Sequence, residues 1–165
     1  MAIEVAQLLE QCRQRRVRLR TAESCTAGAV AARLASVAGA SDVLDRGWVV
    51  YSNRAKIEEL GVEAPLLTRY GAVSREVVEA MAHHGAAKDA LCVALSGVAG
   101  PGGGTAEKPV GTVWIAVAGF DRETRSHGYH FTGSRAQVQS ASVDAALEMV
   151  SAMLVGNYSA HSRFS

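Results

Sequence analysis

The sequence predicts an α/β fold: a single domain built as a three-layer α/β/α sandwich with a mixed sheet. Two observations predict it. Segments with apolar residues at helical spacing alternate along the chain with short strand-like runs, the pattern of α/β proteins. Near the carboxyl end, two strand-like segments are separated by a short turn, which indicates an antiparallel hairpin added to the parallel part. In such folds small-molecule sites lie in loops at strand ends.

The first half of the chain yields five elements. Val5, Leu8 and Cys12 recur at helical spacing, and Gly61 ends the later helix that carries Lys56. The predicted elements are a helix to about residue 16, a strand over 17–22, a helix through 30–37, a strand over 48–52 and a helix over 53–60.

The second half alternates in the same way. The wholly apolar run 90–95 is typical of a central strand covered on both faces. The prediction is a connection over 63–70 around Pro65, a helix capped by Ser74, strands over 90–95, 112–118 and 123–132, and a long helix opened by Ser134. The core is expected to span about 5–155, with a frayed tail over 157–165.

Composition limits the possible partners. The 165 residues are 48% apolar and 20% charged, with a formal net charge of +1, so a soluble globular domain is expected. The small net charge predicts no nucleic-acid partner. No uninterrupted apolar run has the length of a bilayer span, so no membrane partner is expected. Three cysteines without a CxxC motif favour a reducing, cytoplasmic location.

A glycine-rich stretch, 95–111, is the most unusual part of the sequence, and we call it the glycine loop. Glycine permits positive φ and a close approach of backbone to a ligand. The loop follows an apolar strand, so its N–H groups are candidates to face an anion, although a plain surface loop has the same composition. It fits neither GxxxxGK[ST] nor GxGxxG. Its ligand has to be inferred from other residues.

A second candidate anion site is the turn where the first strand feeds the second helix. Ser24, Thr26 and Gly28 lie at this helix start, where backbone N–H groups lack intrahelical partners. Ordinary helix capping is the competing interpretation of the same residues.

The available chemistry is that of serine and lysine. Metal-binding motifs and the GxSxG elbow are missing from the sequence. A serine hydroxyl becomes a useful nucleophile when a neighbouring base takes its proton, and a lysine with a lowered pKa can be that base. Among Lys56, Lys88 and Lys108, Lys56 follows a strand directly and is the best placed to be buried.

Four blocks in this order carry a family resemblance: ESCTAG (23–28), YSNRAKIEELGV (51–62), GAVS (71–74) and SGVAGPGGGTAEKPVGTV (96–113). They resemble the CinA C-terminal domain family, whose characterised members are nicotinamide-nucleotide amidohydrolases, also called NMN deamidases or PncC. The resemblance covers about 21–154. It implies hydrolysis of the carboxamide of nicotinamide mononucleotide (NMN) to the acid with release of ammonia, without a metal or organic cofactor.

The resemblance also implies site residues. Ser41 corresponds to the proposed nucleophile, Lys56 to its base, and Tyr51 to a residue that positions groups or relays the proton. Ser24 is a rival nucleophile, although a helix start suits substrate binding better. The implied substrate-binding residues are Ser24, Cys25, Thr26, Gly28, Gly100, Gly103, Gly104, Thr105 and Arg135, the arginine as a phosphate partner. A homo-oligomer, dimer or higher, is also implied.

Three positions depart from the family pattern. Ala27 stands where a glycine is usual, Gly102 where an aspartate is common, and Gln139 where a second arginine is frequent. The first alternative function is a non-catalytic nucleotide-binding module connected with competence or DNA-damage responses. The second is a Ser–Lys amidase that acts on another small amide.

Overall fold

The computed structural model describes residues 2–119 and 121–156, so the predicted frayed tail lies outside the described residues. The elements are α1 (Val5–Arg15), β1 (Arg18–Glu23), α2 (Ala29–Ala35), a 3-10 turn (Ala40–Asp42), β2 (Leu44–Val49), α3 (Asn53–Leu60), α4 (Ala64–Tyr70), α5 (Arg75–Gly85), β3 (Ala90–Gly97), β4 (Thr112–Gly119), β5 (Arg122–His130) and α6 (Arg135–Val155).

The five strands form one mixed sheet in the order β2-β1-β3-β4-β5. β1 pairs in parallel with both β2 and β3, whereas β4 pairs antiparallel with β3 and with β5. The mixed sheet and its terminal hairpin confirm the predicted fold class. Because β1, β2 and β3 run in the same direction, their carboxyl ends meet at one edge of the sheet.

Helices cover both faces of this sheet, which completes the three layers. Alternate strand residues point to opposite faces. On one face Leu19, Val93 and Ile115 pack with the apolar sides of α1, α2 and α6. On the other face small residues such as Ala94 and Ala116 pack against α5, together with α3 and α4. The small side chains on this second face let α5 lie close to the central strands.

The long helix α6 is also apolar enough, by length and composition alone, to cross a membrane. More than half of that stretch is buried, and Leu147, Val150 and Leu154 belong to the core. Its hydropathy is therefore explained by its place in a globular domain. A capping box between Ser134 and Gln137 fixes where the helix begins.

Two predicted boundaries differ from the structure. The second strand was expected over 48–52 but is Leu44–Val49, because parallel pairing with β1 begins at Leu19 and Leu44. Ser52 instead caps α3, its hydroxyl accepting from Ala55 N. The predicted connection over 63–70 contains α4, since Pro65 lies at the helix start, where its missing N–H has no intrahelical role.

Thr21, on the interior strand β1, has a fully buried hydroxyl without a hydrogen-bond partner among residues 2–119 and 121–156. An unsatisfied buried hydroxyl is unfavourable. We expect Thr21→Val to raise the free energy of unfolding by about 1 kcal/mol, measured by urea denaturation. The control is Thr112→Val, which removes a hydroxyl that donates to Pro109 O at 2.7 Å and should lower stability. A loss of stability in Thr21→Val would contradict the prediction.

Candidate active site

The carboxyl edge of the parallel strands gathers three segments that are distant in the sequence. Ser24 follows β1, Tyr51 follows β2, and the glycine loop follows β3. The first and third are joined directly, because Ser24 N donates to Leu95 O at 3.1 Å. The second is joined to the first by Val50 N, which donates to Glu23 O at 2.8 Å. The sheet therefore sets the relative positions of all three.

Lys56 reaches this edge from the first turn of α3. Its side chain is only 1% exposed, and its amine nitrogen lies 3.0 Å from Ser24 Oγ. Nζ also donates to the main-chain oxygens of Val50 at 3.1 Å and Tyr51 at 3.4 Å. Two backbone carbonyls and one hydroxyl thus surround the amine.

Burial lowers the pKa of Lys56 below its ordinary value of 10.5, because the charged ammonium loses hydration. A neutral amine has two hydrogens and one lone pair. In the structure Nζ donates to Ser24 Oγ at 3.0 Å, and the Ser24 hydroxyl donates to Tyr51 O at 3.4 Å. A neutral amine that keeps its two hydrogens on Val50 O and Tyr51 O has its lone pair left for the hydroxyl of Ser24. The geometry therefore suits a neutral lysine that accepts the serine proton.

An arginine closes one side of this site. Arg135, the first residue of α6, donates to Gly100 O at 2.7 Å and to the hydroxyl of Tyr51 at 2.8 Å. It thereby connects α6, the glycine loop and the β2–α3 junction. Tyr51 itself is 56% exposed, so its ring stands at the rim rather than in the core.

These side chains line a cavity of about 270 Å³ that is open to solvent. Arg135 brings positive charge to it, and no aspartate or glutamate is among its lining residues in the described parts of the chain. Such a cavity favours an anionic ligand. Its walls are Ser24, Cys25, Tyr51, Asn53, Lys56, Ala72, Val73, 96–100, Gly102, Gly103 and Arg135.

The glycine loop forms one wall of the cavity with its backbone. Gly100 and Gly103 adopt positive φ angles of 87° and 85°, which a residue with a side chain would adopt only with strain. The far end of the loop is anchored, because Lys108 Nζ donates to Tyr70 O at 2.6 Å. The loop therefore contributes to the cavity wall, and its predicted role in binding an anion stays a prediction.

The structure does not bring Ser41 to Lys56. Ser41 is exposed in the 3-10 turn before β2 and borders a different, apolar depression. Lys56 lies beyond the other end of β2, and at about 3.3 Å per residue the six residues of that strand alone span roughly 20 Å. The expected pairing of Ser41 with Lys56 is therefore corrected: the hydroxyl beside the amine belongs to Ser24.

Four of the predicted binding residues lie outside the cavity lining. Thr26 is buried and its hydroxyl donates to Glu23, whereas Gly28 forms the N-cap of α2 beside Val49. A β-carbon at Gly104 would lie 2.8 Å from Val110 N, and Thr105 accepts from Lys108 N to close a turn. The contacts that the structure gives these four residues are with other parts of the protein. The predicted residues that do line the cavity are Ser24, Cys25, Tyr51, Lys56, Gly100, Gly103 and Arg135.

The N–H groups at the start of α2 are already occupied. Glu23 accepts from Val30 N at 2.8 Å and from Ala31 N at 3.1 Å, so the chain's own carboxylate takes the place expected for a substrate anion. The sequence prediction missed this role of Glu23. The signal was an acidic residue at the end of the strand, just before a turn and a helix N-terminus, where carboxylates are favourable.

Other cavity residues were missed for a different reason. Ser96, Val98 and Ala99 come from the end of β3 and the start of the glycine loop, and Val73 belongs to the GAVS block that was noted without a role. Small side chains carry no chemical signature of their own. Only their position at the sheet edge identifies them.

Two of the departures from the family pattern have a clear structural setting. Ala27 has a φ of 49°, a left-handed conformation that costs a non-glycine residue roughly 1–2 kcal/mol. This explains the usual glycine there. Gln139, one helical turn after Arg135, donates from Nε2 to Cys25 O at 3.0 Å and so supports the turn that carries Ser24.

Comparison with known proteins decides the family. Residues 3–154 match the family described as CinA C-terminal domain. The chain belongs to this family. The crystal structure of the competence/damage inducible protein CihA from Agrobacterium tumefaciens superposes with a TM-score of 0.81 at 39% identity, covering 93% of this chain and 99% of that one. A CinA superfamily protein from Escherichia coli gives a TM-score of 0.85 at 31% identity, covering 90% and 87%.

Curated CinA relatives differ in length and in name. A protein of Enterobacter agglomerans named nicotinamide-nucleotide amidohydrolase PncC is 50% identical over 121 residues, 72% of this chain and 73% of the relative. A CinA-like protein of Akkermansia muciniphila is 54% identical over 115 residues, 68% of this chain. The aligned regions span only 28% of that relative and 37% of a CinA-like protein from Syntrophobacter fumaroxidans.

The lowered pKa of Lys56 predicts a pH dependence of stability. Between the pKa in the folded protein and 10.5 the unfolded chain binds more protons at this lysine, so wild-type stability rises with pH in that window. Lys56→Met removes this dependence. We therefore expect wild type to gain stability relative to Lys56→Met when the pH is raised from 7 to 9.5. The free energies of unfolding are measured by urea denaturation at both pH values.

The matched control for this measurement is Lys88→Met, which removes an exposed lysine. Its stability difference from wild type should stay constant over the same pH range. A difference for Lys56→Met that is constant or grows with pH would show that the amine is not destabilised by burial.

Proposed function

We propose that this CinA-family domain hydrolyses the carboxamide of nicotinamide mononucleotide, giving nicotinate mononucleotide and ammonia in pyridine-nucleotide salvage. The observation that carries the proposal is the buried amine of Lys56, 3.0 Å from the hydroxyl of Ser24 in a cavity with positive charge. The name of the PncC relative, 50% identical, supports the same substrate. Amidohydrolase activity on NMN is thus the function that site and comparison support together.

In the proposed acylation step Ser24 Oγ attacks the carboxamide carbon while its proton passes to the neutral amine of Lys56. The amide oxygen then carries negative charge, which backbone N–H groups of the glycine loop or of the Ser24–Gly28 turn would stabilise. Collapse of this intermediate breaks the C–N bond. The ammonium of Lys56 returns its proton to the departing nitrogen, so that ammonia leaves and an ester on Ser24 remains.

The ester is then hydrolysed with Lys56 as the base for water and Ser24 as the leaving group. A water molecule gives a proton to Lys56 and attacks the ester carbon, and the released Ser24 oxygen recovers that proton. The acid product then leaves. One base therefore serves both half-reactions, and the residues of the site supply every proton transfer.

Tyr51 and Arg135 have binding and orienting roles in this proposal. The main-chain oxygen of Tyr51 holds one hydrogen of the Lys56 amine, and its hydroxyl accepts from Arg135. The guanidinium at the rim can present its donors to the 5′-phosphate of the nucleotide, a geometry that arginine favours. The homo-oligomeric state and the cytoplasmic location stay predictions.

Two serine variants test the proposal. We expect Ser24→Ala to lower kcat for ammonia release from NMN at least about 10³-fold, since loss of the nucleophile removes the covalent route. Ser41→Ala, at the other end of β2, should keep kcat within about twofold of wild type. The measurement is a coupled ammonia assay, with the acid product identified by chromatography.

The opposite pattern, loss in Ser41→Ala and retention in Ser24→Ala, would overturn the assignment of the nucleophile. Binding of NMN by calorimetry without turnover by wild type would favour the nucleotide-binding module instead. Turnover of another amide but not of NMN, in a panel of small carboxamides, would favour a Ser–Lys amidase of different specificity.

A further inference from the structure

Glu23, the last residue of β1, is a carboxylate buried in the protein interior. It is 0% exposed and lies directly before Ser24. Oε1 accepts from Thr26 Oγ1 at 2.6 Å and from Val30 N at 2.8 Å, and Oε2 accepts from Ala31 N at 3.1 Å. A buried charge is tolerated only when such bonds replace its lost hydration.

The partners of this carboxylate are all donors on the turn and helix that follow Ser24. Within residues 2–119 and 121–156 Glu23 forms no salt bridge with an arginine or lysine, so the N-terminus of α2 supplies the compensating positive potential. One side chain thus fixes the strand end, the turn and the first turn of the helix together.

The turn held in this way is unfavourable by itself. Ala27 and Gly28 both adopt positive φ, at 49° and 97°. A turn that contains a strained alanine needs bonds from its surroundings to keep one conformation. Glu23 supplies these bonds from the inner side, while Gln139 holds Cys25 O from the outer side at 3.0 Å.

The main chain of Glu23 also leads to the base. Glu23 O accepts from Val50 N at 2.8 Å, and Val50 O accepts from Lys56 Nζ at 3.1 Å. The side chain of Glu23 therefore fixes the turn that carries Ser24. Its main-chain oxygen is bonded to Val50, whose own carbonyl accepts from Lys56.

We propose that Glu23 is a positioning residue that holds the hydroxyl of Ser24 within reach of the Lys56 amine. This inference rests on the proposed function, since it takes Ser24 as the nucleophile. Glu23 does not line the cavity, and its side chain acts through the turn that carries Ser24. Its loss should therefore slow the chemical step and leave the binding of the nucleotide unchanged.

Glu23→Gln is the decisive variant because it keeps the shape of the side chain. An amide presents one NH₂ group, which must then face a donor: Ala31 N, or Thr26 Oγ1 and Val30 N. The turn has to shift to relieve this contact. Misplacement of a reacting group by about 1 Å can cost about 10²-fold in rate. We expect kcat for NMN to fall about 10- to 100-fold with KM within about twofold of wild type.

A second pair of variants tests the same contact without touching the carboxylate. Thr26→Val removes the hydroxyl that donates to Glu23, whereas Thr26→Ser retains it. We expect kcat of the serine variant to exceed that of the valine variant at least about fivefold, with KM unchanged in both. Equal losses in the two variants would overturn the inference, and the pair remains informative even if Glu23→Gln does not fold.

Loss of stability alone must be separated from loss of position. Val43→Ala shortens a fully buried side chain at the opposite edge of the sheet, beside Leu19, and so lowers stability away from the site. Its kcat per folded molecule, with the folded fraction taken from thermal denaturation, should equal that of wild type. If Glu23→Gln loses no more kcat than Val43→Ala on this scale, the positioning role is overturned.

Labelling of Ser24 by a fluorophosphonate separates failure of this inference from failure of the proposed function. The rate of mass gain in intact protein reports serine nucleophilicity without any need for NMN. If wild type does not hydrolyse NMN, the proposed substrate is wrong, and labelling at least about tenfold slower in Glu23→Gln still supports the inference. Equal labelling rates, or no labelling of Ser24 in wild type, overturn it.

Discussion

The site depends on the burial of one amine, that of Lys56, with which no carboxylate of the described residues, 2–119 and 121–156, forms an ion pair. Its contacts are two main-chain carbonyls and the hydroxyl of Ser24, and burial lowers its pKa. An ion pair at this position would hold the proton and leave the amine unable to act as a base. Burying the amine without an ion-pair partner lowers the stability of the fold, and it does so where a neutral lysine is useful. Such perturbed groups are common at functional sites.

Parallel pairing makes this burial possible. Strands β1, β2 and β3 end at one edge, so the residues after them are neighbours although they are far apart in the chain. Main-chain bonds from Glu23 O to Val50 N and from Ser24 N to Leu95 O fix the three ends relative to one another. α6 then adds Arg135 and Gln139 from outside the sheet, each bonded to one of the loops. The parts of the site thus belong to different elements that are joined by hydrogen bonds.

Membership in the CinA C-terminal domain family agrees with this arrangement over nearly the whole chain. The relatives carry names that refer to competence and damage as well as to an amidohydrolase. Some of them are much longer than the matched region, so the domain occurs in proteins with additional parts. The regions that two of these relatives share with this chain are 115 and 157 residues long, which is the size of the domain itself.

The sequence by itself determined the alternation of helices and strands, the mixed sheet, the family, and Lys56 as the lysine to be buried. Apolar periodicity and short motifs are local, so a single chain displays them. Only the tertiary structure decided which hydroxyl meets that lysine. Ser24 and Lys56 are 32 positions apart and come together through the register of β1 and β2, whereas Ser41, nearer in sequence, is carried to the other end of β2. Strand pairing sets such distances, and no local pattern records them.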